Sequence, residues 1–100
     1  MIIVKTIREF TAAISQFLKD NNEEFKAIFD RRYGMMFTFP DKVNHAVIQI
    51  QIVGGKNKPF ACNLLENGEV IKGFESDCYG DIEHELKSLY DFLKDFRGKN

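Results

Sequence analysis

Apolar positions along this chain follow two different periods, and the switch between them divides it into elements. Ile7, Phe10, Ile14, Phe17 and Leu18 recur at three- and four-residue steps, which lines one stripe of an α-helix while Arg8, Gln16 and Lys19 stay wet. Thr6-Ile7-Arg8-Glu9 has the form of a capping box and marks the start of that helix. Asp20-Asn21-Asn22 marks its end, because short polar side chains compete for backbone hydrogen bonds. Phe25, Ile28 and Phe29 again have helical spacing, with Glu23 and Glu24 before them and Arg31 and Arg32 after, the order that a helix dipole favours. A second, short helix is expected there. The alternative is a strand from Phe25 to Phe29, since periodicity alone cannot assign a two-turn apolar segment.

From Tyr33 the period is two. Tyr33, Met35, Phe37 and Phe39 fall on one side and Met36 and Thr38 on the other, until Pro40-Asp41 breaks the ladder. Residues 45–53 alternate most clearly, with Ala46, Ile48, Ile50 and Ile52 facing one way and Gln49 and Gln51 the other. Gly54-Gly55-Lys56-Asn57-Lys58-Pro59 is a loop by composition, and residues 60–65 resume extended apolar character. Asn67-Gly68 supplies the positive φ angles of a tight hairpin turn into a strand over residues 69–74. Ile82, Leu86, Leu89, Tyr90, Leu93 and Phe96 then form the apolar stripe of a last helix, stopped near Gly98.

The predicted order is α-α-β-β-β-β-α, an α+β fold. It amounts to a two-layer sandwich in which a four-stranded antiparallel meander carries helices on one face, because each long helix has a single apolar stripe to bury. The other sheet face, with Val47, Gln49, Gln51, Val53, Thr38, Met36 and Leu65, is too polar for a second core and too apolar for plain solvent surface. That face is a candidate contact surface and a possible homodimer seam.

Composition narrows the function without naming it. At 100 residues with 44% hydrophobic and 29% charged residues, the chain is expected to form one globular domain over residues 1–100. No stretch approaches the roughly 18 apolar residues that span a bilayer, and Cys62 and Cys78 have neither metal-knuckle spacing nor the density of a disulfide framework, so a cytoplasmic protein with free thiols is expected. The net charge of −1 lacks the basic excess of non-specific DNA binders. His45 and His84 are the only imidazoles and have no ligand spacing, and no nucleophile elbow or phosphate fingerprint is present. Cys78 and His84, six residues apart, would lie on different helical faces. Neither a catalytic site, a metal nor a cofactor is therefore expected.

Charge is unevenly distributed. Residues 1–60 hold nine Lys/Arg and six Asp/Glu, whereas residues 61–100 hold five and nine. Between positions 66 and 85, Glu66, Glu69, Glu75, Asp77, Asp81, Glu83 and Glu85 are opposed only by Lys72. Asp77, Asp81 and Glu83 complement the dipole of the last helix, but Glu66, Glu69 and Glu75 have no such explanation. They could steer a basic partner, or protect an edge strand from aggregation. The expected function is that of a non-enzymatic protein-binding accessory domain, a small inhibitor, immunity or adaptor protein of bacterial or phage type. Its partner surface would comprise Glu66, Glu69, Glu75, Asp77 and Asp81 together with Gln49 and Gln51. A second reading is single-stranded nucleic-acid binding. Arg31, Arg32, Lys56 and Lys58 could line one end of the sheet with Tyr33 stacking on a base, although the element order does not fit an RNA-recognition motif.

Overall fold

A computed structural model describes residues 1–54, 59–77 and 79–98. The chain begins with a two-residue strand, β1 (Ile3–Val4), and enters helix α1 (Ile7–Asp20) at the predicted cap. The Glu9 amide donates to Thr6 Oγ1 at 3.1 Å, and the Thr6 hydroxyl donates to Glu9 Oε1 at 3.4 Å. At the far end Asn22 adopts the left-handed conformation (φ 60°). The amides of Asn22 and Glu23 donate back to the carbonyls of Lys19 and Leu18, which closes the helix in a Schellman motif.

Beyond this cap the structure corrects the expected second helix. Residues 26–30 form a strand, β2 (Lys26–Asp30), paired antiparallel with β3 (Gly34–Thr38). The three residues that suggested a helical stripe do not share one face: Ile28 points away from the helices, and Phe25 and Phe29 toward them. Phe25 stacks on Phe37 at 4.5 Å between ring centres, while Ile28 and Phe29 lie opposite Met36 and Met35 on opposite faces of the hairpin. A two-turn helix has to meet the full cost of nucleation with little propagation to offset it, whereas the hairpin is closed locally. Asp30 Oδ1 accepts from the amides of Arg32 (2.7 Å) and Tyr33 (3.1 Å), and Gly34 takes φ 83°.

The next strand is also shorter than its sequence pattern. β4 spans Ile48–Val53, and His45 belongs to a tight turn in which Asn44 and His45 both have positive φ (52° and 66°) while Val43 and Ala46 exchange backbone hydrogen bonds. This is the geometry of a two-residue hairpin turn. β5 (Phe60–Glu66) and β6 (Glu69–Ser76) follow, joined by Asn67 and Gly68 at φ 49° and 84° as their sequence predicts. A two-residue strand, β7 (Gly80–Asp81), pairs with β1, and helix α2 (Glu83–Gly98) completes the order.

The main sheet is a five-stranded antiparallel meander, β2-β3-β4-β5-β6, and β1 with β7 forms a separate two-stranded sheet. The fold is α+β as expected, with β2 replacing the second helix as an additional strand. Both helices cover one sheet face. Phe10, Ile14 and Leu18 of α1 and Leu86, Leu89 and Leu93 of α2 are buried with Ile48, Ile50, Ile52, Cys62 and Leu64 in one core. The regular alternation of β4, buried at each isoleucine and half-exposed between them, follows from this single covering. Burial pushes the Cys62 thiol well above its ordinary range, so it stays protonated and unreactive. No helix among the described residues is long and apolar enough to cross a membrane.

Candidate functional site

Because residues directly opposite one another in a sheet share a face, the strand registers assign the side chains of the helix-free surface. One row across it runs Lys26, Thr38, Gln49, Leu65, Val70, and the next runs Ile28, Met36, Gln51, Asn63, Gly73. Beyond these, Val53, Ala61 and Glu75 stand side by side. Side-chain hydrogen bonds tie the polar members together. Gln49 Nε2 donates to Thr38 Oγ1 at 2.9 Å, Gln51 Nε2 donates to the Tyr33 carbonyl at 2.9 Å, and Asn63 Nδ2 donates to Gln51 Oε1 at 3.2 Å. Gly73 leaves room for this array, since a Cβ there would collide with Asn63 Oδ1. The glutamines are half-buried and held in place, and Gln49 Oε1 and the second amide hydrogen of each Gln remain for an external contact.

The acidic run is divided by the fold. Glu66 and Glu69 face each other across the β5-β6 turn, whereas Glu75 lies six residues along β6, roughly 20 Å away at the strand rise of about 3.3 Å per residue. Asp77 follows Glu75 in the turn before α2, where its carbonyl accepts from the Gly80 amide at 3.0 Å. Asp81 serves the fold directly. Its Oδ1 accepts from the amides of Glu83 and Ile2, each at 3.0 Å, and these bonds hold its carboxyl below the usual range. Asp81 thus caps α2 and fastens the chain's first residues to it. Lys72, the one cation within the run, lies on the helix side of β6, with its ammonium 5.7 Å from the centre of the Phe92 ring. Opposite charges therefore flank the sheet: Lys26, Arg31 and Arg32 at the β2 side, and Glu66, Glu69 and Glu75 at the β6 side.

The basic and aromatic residues of the nucleic-acid reading are partly gathered. Arg31, Arg32 and Tyr33 share the exposed β2-β3 turn, at the sheet end where β4 finishes and β5 begins. Lys56 and Lys58 lie outside the described residues. The chain matches no family model, no curated protein and no solved structure.

Two further features had no clear signature in the sequence. An open groove of about 710 Å³ lies between α1 and the β2-β3 hairpin, lined by Ile7, Arg8, Ala12, Phe29, Met35 and Phe37 among others. The second is a polar cluster beside a smaller pocket at the C-terminal end of α1. Glu23 accepts from Tyr90 Oη at 2.6 Å and from Arg97 Nη1 at 2.9 Å through both carboxylate oxygens, while the Arg97 guanidinium stands 4.8 Å from the centre of the Phe39 ring. The side chains of Glu23 and Arg97 are 13% and 30% exposed, so the pair is screened less than a surface ion pair. It fastens the segment after α1 to the last turn of α2. Among the described residues no three His, Cys, Asp or Glu side chains are grouped to hold a metal ion.

Burial, reinforced by the adjacent Glu23 carboxylate, raises the Tyr90 hydroxyl to about 12. Since an unfolded tyrosine titrates near 10, the protonated hydroxyl contributes fully below that pH, and the contribution disappears as pH rises through the folded value. The stability advantage of the wild type over Tyr90→Phe should be constant to about pH 10 and shrink from there toward pH 12. Urea titrations of both proteins at stepped pH test this; an advantage unchanged at pH 12 would remove the hydrogen bond from the account.

Proposed function

We propose that this chain is a non-enzymatic protein-binding domain whose docking platform is the helix-free face of its sheet. The observation that carries this reading is the set of hydrogen-bonded side-chain amides, Gln49, Gln51 and Asn63, among apolar residues on the sheet face that neither described helix covers. Ile28 and Val70, half or more exposed at its two sides, add apolar area that a partner can bury. Such a face is already ordered before contact, which lowers the entropic cost of binding. Its acidic margin at Glu75 and Asp77 favours a partner with basic side chains, through steering and register more than through raw affinity. An inhibitor, immunity or adaptor role fits a small domain of this kind. Two titratable groups are committed within the fold: Cys62 is sealed in the core, and the Tyr90 hydroxyl donates to Glu23.

The test is to identify the protein crosslinked to this chain in its host, purify it, and titrate it calorimetrically. Glu75→Lys is expected to weaken binding about tenfold, mainly through the association rate, with a smaller salt dependence. Gln51→Arg should weaken it further by disturbing the amide row, and Gln16→Glu on the helix side should leave it unchanged. Equal affinity for all four proteins would overturn the platform. The exposed Arg31-Arg32-Tyr33 turn favours a second reading, binding of single-stranded nucleic acid. That reading requires salt-sensitive binding of short oligonucleotides, weakened by Arg31→Ala and Arg32→Ala, and fails if none is bound at low salt.

A further inference from the structure

The two edges of the main sheet are not equally protected. β6 carries Glu69, Lys72 and Glu75 together with Gly73, and its pairing with β5 is interrupted by a register shift at Leu64 and Leu65. Charges and irregularities of this kind keep an edge from accepting a further strand. β2 has neither a proline nor a bulge, and its central residues Ala27, Ile28 and Phe29 are all exposed, Phe29 to 68%. Its charges, Lys26 and Asp30, stand only at the two ends, and an exposed edge with an apolar centre is a template for another strand.

The sequence of β2, Lys-Ala-Ile-Phe-Asp, is complementary to itself when run antiparallel. With Ile28 on a twofold axis perpendicular to the sheet, Ile28 meets Ile28 of a second copy. Lys26 then faces Asp30 of that copy and Asp30 faces its Lys26, so opposite charges are paired twice. On the helix side, each Phe29 ring lies opposite the small Ala27, which leaves it space to lie over the joint. Phe29 also forms part of the groove beside α1, and a neighbouring strand supplies cover that this ring lacks in the single chain. We infer that two copies of this chain associate through their β2 edges, joining the two meanders into one continuous antiparallel sheet with both helical layers on the same side. The basic β2 sides come together at the centre, the acidic β6 sides lie at the two ends, and the helix-free face is doubled.

Gel filtration with light scattering, from micromolar to millimolar chain, should show a concentration-dependent shift from one to two chain masses. Lys26→Glu replaces two attractive cross-strand pairs by two repulsive ones and is expected to weaken dimerisation about 10- to 100-fold. Mixing Lys26→Glu with Asp30→Lys should restore a dimer that neither variant forms well alone. Because Asp30 also holds the β2-β3 turn, an independent pair of variants serves if Asp30→Lys does not fold. Under mild oxidation, Ile28→Cys should become disulfide-linked to a second copy of itself, and Lys26→Cys, whose own copy lies four residues off register, should not. A wild type that stays monomeric at millimolar concentration overturns the inference. So does a dimer indifferent to Lys26→Glu, or equal crosslinking of the two cysteine variants.

Discussion

Phe10→Ala is expected to lower the unfolding free energy by about 3–5 kcal/mol, the usual range for removing a fully buried phenylalanine. The Phe10 ring is fully enclosed and tilts against Phe60 at 5.4 Å and Phe74 at 6.0 Å between ring centres. It therefore joins α1 to both β5 and β6, and the smaller side chain would leave a cavity bounded by rigid strands that cannot close over it. Against a typical total of about 5–15 kcal/mol for a domain of this size, the loss would bring the protein close to unfolding. Urea denaturation by circular dichroism measures it, with the slope on denaturant unchanged. A loss below about 1 kcal/mol would show that α1 is not anchored through this ring.

The second large effect is expected at Gly34. Its φ of 83° lies in the left-handed region, and a Cβ there would collide with the Ile52 carbonyl oxygen and stand 2.8 Å from Val53 Cγ1. Gly34→Val adds a left-handed backbone cost of about 1–2 kcal/mol to an overpacking cost of about 1–3 kcal/mol, and the backbone carbonyl cannot move aside as a flexible side chain would. Total destabilisation of about 2–5 kcal/mol should appear in urea titrations, with amide exchange accelerated most in the β2-β3 hairpin. The Arg31-Tyr33 turn and the exposed β2 edge depend on that hairpin, so the same variant should also abolish the dimerisation proposed for β2. A variant with unchanged stability and exchange would mean that the hairpin tolerates a different turn.

Several elements can be read from neighbouring residues alone. The Thr6-Glu9 cap, the Asn67-Gly68 turn and the apolar stripes of α1 and α2 stand in the structure where the pattern puts them, because the groups that decide them lie within a few residues of one another. The alternation over Ile48–Val53 also carries through, and with it the division into a covered and an open sheet face. Segments with two local solutions were less legible. Phe25, Ile28 and Phe29 satisfy a helical spacing as well as a strand, and the choice rests on pairing with Gly34–Thr38 and on Phe37 as a partner for Phe25. Asn44 and His45 extend an alternating run until their positive φ angles make it a turn. The acidic residues read as one run along the chain, yet Glu66 and Glu69 are separated from Glu75 by the length of β6, and Asp81 is taken up by capping.

By itself the sequence determined the ends of α1, four of the five meander strands and the face that meets the core, since these follow from periodicity and from hydrogen bonds between near neighbours. Tertiary structure decided which charges stand together and which edge is left bare. It alone brings Glu23 to Tyr90 and Arg97, 67 and 74 residues away, and it alone turns the apolar β2 into an unpaired edge. Side-chain proximity of that kind depends on strand order and register, which no local pattern encodes.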